Sequence, residues 1–269
     1  MREEGNCDTA YQAQLTEAAA AFHERMFPGY VSDFLRTDAE FIERFDNFAF
    51  DEVLRATEDT LDERTRFMCW LATLLGCQGI DEYRGMLPAA LRMGVEPEAA
   101  KEIVYQAVDY LGIGRVFPFL KATNEVLEAL GIELPLTCQA TTEPTDESRK
   151  AGGEAAQIAA FGDSMAGYYD RGNPDYPHIN HWLVKNCFGD FYTRTGLTIA
   201  ERELMTFCFL AAQGGCENQL RGHTAGNVHC GNTREYLIAV ASSNLPFIGY
   251  PRTLNALAVI DEVTKGNED

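Results

Sequence analysis

The chain predicts an all-α protein made of two copies of one helical unit. Three observations carry this. Apolar residues recur at helical spacing along segments punctuated by Gly and Pro. One constant offset of 139 residues (Phe161 less Phe22) relates a long series of identities between the two halves. A polar stretch from Thr137 to Gly153, rich in charges with Pro and Gly, separates those halves. The expected division is therefore residues 1–136, a linker over 137–153, and residues 154–269.

In the first half, a helix is expected from about Thr9 to Met26, with Tyr11, Leu15, Ala19 and Phe22 on its apolar face, ended by Pro28-Gly29. Phe34, Phe41, Phe45 and Phe48 follow at helical spacing; within it the row Phe41, Phe45 and Phe48 reads as core and not as a cofactor box. A short segment, Phe50 to Ala56, leads to the run Asp62–Leu75, which ends at Gly76-Cys77. Tyr83–Met93 stops at Gly94, and Pro97 opens a helix to Tyr110. Gly112-Ile113-Gly114 turns the chain into Phe117–Leu130.

The second half repeats this order. The shared offset relates Met165 to Met26, Asn186 to Asn47, Asp190 to Asp51, Cys208 to Cys69 and Cys216 to Cys77. Thr198 reads as the cap of a helix with Glu201 and Glu203 in its first turn, broken at Gly214-Gly215. A second helix opens at about Cys216, carries Gln219 and His223, and stops at Gly231. Thr233 caps a third, and Gly249-Tyr250-Pro251-Arg252 turns into the last.

Composition excludes several function classes. Hydrophobic residues make up 46% of the 269, enough for a folded core. A net charge of −19 argues against nucleic acid or an anionic membrane as partner. No apolar run approaches a membrane span, and the first residues lack a signal-peptide core. Eight scattered cysteines fit reduced thiols in a cytoplasm better than a disulfide framework. His178 and His181 lie three apart with no third ligand nearby, so no metal site is expected there. His229-Cys230 is explained by a helix end. No nucleotide-binding motif is present, and no cofactor is expected.

Chemistry concentrates in the hairpin of the second half. Glu203, Cys216 and His223 stand where two helices joined by Gly-Gly could bring an acid, a thiol and an imidazole together. The alternative is that the Cys and His are packing residues. The duplication sorts these residues: Glu203 falls on Arg64 and His223 on Arg84, whereas Cys216 falls on Cys77. The first half thus lacks acid and imidazole, and is expected to be structural or to lend residues to a shared cleft. Asp62 opposite Glu201 marks Glu201 as a helix-start charge.

This stretch resembles the carboxymuconolactone decarboxylase / AhpD-like family of all-helical proteins. The residues that carry the resemblance are Glu201-Arg202-Glu203-Leu204, Gly214-Gly215-Cys216, Gln219 with His223, Gly231 with Thr233-Arg234-Glu235, and Gly249-Tyr250-Pro251-Arg252 with Asn255-Ala256. In the alkylhydroperoxidase branch the motif is a Glu, a Cys-x-x-Cys and a His. Glu203, Cys216 and His223 match it, while Gln219 occupies the second Cys position, which places the chain nearer the decarboxylase branch. The resemblance implies a cofactor-independent enzyme in which His223 moves a proton on a small lactone or carboxylate and Glu203 orients it. Gln219, Arg202, Arg221 and Arg252 are the candidates for binding that substrate. A thiol peroxidase using Cys216, with Cys208 in an unfavourable apolar setting as its partner, stays open. So does a non-catalytic helical assembly. The family assembles around a ring, so a tandem chain is expected to form a homotrimer acting as a pseudo-hexamer.

Overall fold

The computed structural model describes residues 11–265. The helices of the first half are α1 (Glu17–Met26), α2 (Phe34–Thr37), α3 (Ala39–Asn47), α4 (Val53–Arg55), α5 (Glu63–Cys77), α6 (Ile80–Arg92), α7 (Pro97–Leu111) and α8 (Ile113–Ala129). Those of the second are α9 (Asp146–Phe161), α10 (Pro177–Trp182), α11 (Ile199–Gln213), α12 (Glu217–His229), α13 (Arg234–Ser243) and α14 (Leu245–Lys265). A π-helical segment joins α3 to α4 (Phe48–Glu52), and another follows α10 (Leu183–Tyr192). No strand occurs among the described residues.

Several boundaries follow from local chemistry. Thr198 accepts from the Glu201 N–H, and Glu201 returns a bond to the Thr198 N–H at 2.7 Å, a reciprocal cap that fixes where α11 starts. Asp62 and Thr233 cap α5 and α13 one way, their side chains accepting from the N–H groups of Thr65 and Tyr236. The first helix is shorter than expected. Thr16 caps it, and its own N–H bonds Asn47 Oδ1 at 2.8 Å, so residues 11–16 pack against α3 rather than coil. Thr9 lies outside the described residues. The expected linker is half helix, because Thr145 caps Ser148 and α9 begins at Asp146. Gly249, at φ 73°, breaks α14 where the Gly-Tyr-Pro-Arg turn is expected.

The core is built around α5 and α11. Both are apolar nearly all round and buried over most of their length, as central helices must be. They run side by side in one direction. Arg64 near the start of α5 pairs with Glu201 near the start of α11 at 2.6 Å, and Gly76 near its end lies against Phe209 and Ala212. Helix α7 of the first half packs on α11, while α13 and α14 of the second pack on α5. Each half is thus completed by helices of the other. Trp70, whose Nε1 donates to the Ser243 carbonyl at 3.0 Å, is one such crossing.

The aromatic row departs from the expectation of core. Phe41 is 67% exposed, and Phe45 and Phe48 are half-buried. Phe41 and Phe45 line an open cleft of about 870 Å³ instead, which no described element fills.

Candidate functional site

Glu203 and His223 meet. Glu203 sits mid-face on α11 and is fully buried. His223 Nδ1 lies 2.8 Å from Glu203 Oε2, and the imidazole is 13% exposed. The contact requires α12 to approach α11 closely. Gly226 permits this, since a Cβ there would stand 2.5 Å from Glu203 Oε2 and 2.6 Å from the Phe161 ring. Asn227 ties the two helices by donating to the backbone carbonyls of Glu203 and His223.

The second oxygen of Glu203 is held by a tyrosine relay. Tyr192, at the end of the second π-helical segment, donates to Oε1 at 2.9 Å. Its hydroxyl also meets Thr206 Oγ1 at 2.9 Å and Tyr110 Oη at 2.8 Å. Burial above all, with the Glu203 charge adding to it, pushes both phenols well above their usual range. Both therefore stay protonated donors at any working pH. Tyr110 comes from α7 of the first half, and with Phe161 of α9 it walls the His223 ring, centroids 5.3 and 5.4 Å away. Beside Tyr110, burial raises the Asp109 carboxyl to about 7.

Cys216 stands apart from this pair. It is the N-cap of α12, and its Sγ bonds the Leu210 carbonyl at 3.5 Å and accepts from Gln213 at 3.5 Å. Seven helical steps lead from it to His223, roughly 10 Å along the axis. The expected convergence of acid, thiol and imidazole is thus a contact of two, with the thiol engaged elsewhere. Cys77 differs again, closing α5 where Cys216 opens α12.

The expected substrate-binding residues scatter. Arg202 is fully buried, bonded to Glu102 at 3.0 Å, to Gln106 and to the carbonyls of Arg194 and Thr195. A guanidinium enclosed in this way has no face for a substrate, so Arg202 holds the fold. Arg221 pairs with Glu262 at 2.8 Å on the surface. Arg252 lies beside Gly214 at the helix break. Gln219 is exposed on α12, one turn before His223 and on the same face. His178 and His181 pack on Trp182 and Tyr169, at 4.8 and 4.1 Å.

Sequence reasoning missed Tyr192, Tyr110 and Phe161. Tyr192 carried a signal, since at the shared offset it falls on Val53 and is thus particular to the second half. Tyr110 carried none, because only the packing of α7 on α11 brings it to the site.

No curated protein matches this chain. A crystal structure of a candidate gamma-carboxymuconolactone decarboxylase subunit from Burkholderia xenovorans LB400 is similar in fold, with a TM-score of 0.52 and 22% identity over 93% of this chain and 97% of that one. The model of the carboxymuconolactone decarboxylase family matches twice, over residues 39–125 and 177–262. With one family unit in each half, and the two matches together spanning more than half its length, the chain belongs to the carboxymuconolactone decarboxylase family.

Proposed function

We propose that the chain is a carboxymuconolactone decarboxylase-like enzyme that moves a proton on a small lactone or carboxylate. The observation that carries this is the buried Glu203–His223 contact, with Tyr192 on the other carboxylate oxygen. Glu203 fixes the imidazole by its Nδ1 and stabilises the imidazolium when it forms. Nε2 has no hydrogen-bond partner among the described residues, and it is the nitrogen proposed to take or give a proton at the substrate carbon. When a carboxylate leaves as carbon dioxide, its electron pair stays on that carbon, and His223 supplies the proton that quenches it. Gln219 and Arg252 are the residues proposed to hold the substrate's polar groups. A thiolate nucleophile at Cys216 is the weaker reading, because its sulfur is hydrogen-bonded to Gln213 and the Leu210 carbonyl and not to His223 or Glu203.

The test is hydrogen exchange and decarboxylation of small lactone carboxylates in heavy water, followed by NMR. His223→Ala should lower turnover by about 10²-fold or more, with Glu203→Gln falling in the same direction. Cys216→Ser should keep the activity. Loss with Cys216→Ser but not with His223→Ala would move the chemistry to the thiol.

The chain is further proposed to act as a homotrimer. Exposed Ile113, Phe117, Tyr250 and Leu254 cluster in sequence at equivalent turns of the two halves and suit an interface between copies. Light scattering that gives a monomer would refute this.

A further inference from the structure

The first half holds a cleft that the proton-transfer site does not use. It lies among α1, α3 and α6, with Phe247 of α14 also lining it. Its walls are aromatic. Phe41 stacks on Phe45 at 6.3 Å, Phe45 stands edge-on to Phe50 at 6.0 Å, and Tyr30 stands edge-on to Phe27 at 6.3 Å. Phe34 and Phe41, 62% and 67% exposed, sit at the surface of this wall. About 870 Å³ is the size of a site for a drug-sized molecule.

Asp46 lines this cleft at 7% exposure, and no hydrogen bond or ion pair joins its carboxylate to a described residue. Burial pushes its carboxyl up, opposed by the nearby His23. A buried carboxylate without a partner is costly, and a bound cation would relieve that cost. The arginines that line the cleft are already engaged. Arg84 pairs with Glu125 at 2.6 Å, and Arg92 donates to the Met26 carbonyl at 2.5 Å. Glu82 adds a second carboxylate to the lining. Apart from His23, the carboxylates of Asp46 and Glu82 are the charges of the lining left without a hydrogen bond or ion pair to a described residue, and they share the cleft with aromatic rings, whose quadrupoles also attract cations. The net charge of −19 draws cations toward the whole molecule.

We propose that this cleft binds an apolar organic cation, an amine or quaternary ammonium on an aromatic or branched body, with its charge against Asp46 and its body against Phe41, Phe45 and Phe50. The duplicated unit then serves two ends. One half keeps Glu203 and His223, and the other, with Arg64 and Arg84 at those positions, keeps an acid in an aromatic cleft.

Titration calorimetry on the full chain tests this with phenethylammonium and benzyltrimethylammonium, against 2-phenylethanol and phenylacetate. Both ammonium compounds should bind at least about tenfold more tightly than the neutral and anionic analogues. Asp46→Asn should weaken the ammonium compounds by about tenfold and remove their advantage over the alcohol. Phe41→Ala changes only an exposed side chain and should weaken benzyltrimethylammonium severalfold. Should Asp46→Asn fail to fold, the ligand series and Phe41→Ala decide. Absence of ammonium binding, equal binding of phenylacetate, or an unchanged affinity in Phe41→Ala or folded Asp46→Asn would overturn the proposal.

Discussion

Asp109 shows what burial does to a single group beside the site. Its folded carboxyl titrates near 7, whereas an unfolded aspartate releases its proton near 3.8. Between those values the folded chain holds the extra proton, so stability falls as pH rises through the window and is level above it. The loss is on the order of a few kcal/mol. Urea unfolding at about pH 5 and about pH 8 should show the folded state weaker at the higher pH. Asp109→Asn should flatten that difference, and an unchanged slope would rule Asp109 out as its source. Tyr192 acts at the same scale. Tyr192→Phe removes one of the two donors to Glu203, and it should lower turnover while leaving substrate affinity unchanged, read as kcat against KM.

At the scale of elements, the parallel contact of α5 with α11 decides the geometry. Gly76 has ordinary helical backbone, so alanine there would gain up to about 1 kcal/mol of helix propensity. The added Cβ, however, would stand 2.7 Å from the Phe209 carbonyl oxygen and 2.7 Å from Ala212 Cβ. Two central helices cannot separate without opening the core, and overpacking of this kind costs about 1–3 kcal/mol. Gly76→Ala should therefore destabilise the protein on balance, and a raised melting temperature would contradict the packing described. The helix starts of α5, α11 and α13 were legible because Asp62, Thr198 and Thr233 cap locally. The start of α9 was hidden inside a stretch whose Pro, Gly and charges resemble a linker, although Thr145 caps it with the same chemistry.

Across the whole molecule, the halves are joined by a buried charge cluster. Glu102 on α7 is 1% exposed and receives Arg194 at 2.8 Å and Arg202 at 3.0 Å, both from the second half. Gln106 on the same helix bonds Arg202 and Thr206. Removing the acid would leave two guanidinium groups, one of them fully enclosed, without a counter-charge. Glu102→Gln should cost about 3–5 kcal/mol in urea unfolding. A loss well under 1 kcal/mol would show that the cluster is not what couples the halves. The same helix delivers Tyr110 to His223, so weakening this joint should also lower activity.

The sequence by itself determined the helical class, the duplication and the capped helix starts, and it put forward Glu203, Cys216 and His223 as one candidate set. Periodicity, offset and caps are local or self-comparing signals, and the resemblance named the three residues of that set. Only the tertiary structure decided that Cys216 turns to Leu210 and Gln213, that Arg202 serves Glu102, and that Phe41 faces a cleft. Only it placed Tyr110 from the other half against the site. The reason is physical. A cap or a periodic face depends on neighbours a turn away, whereas a side chain's partner depends on which helices the fold lays side by side.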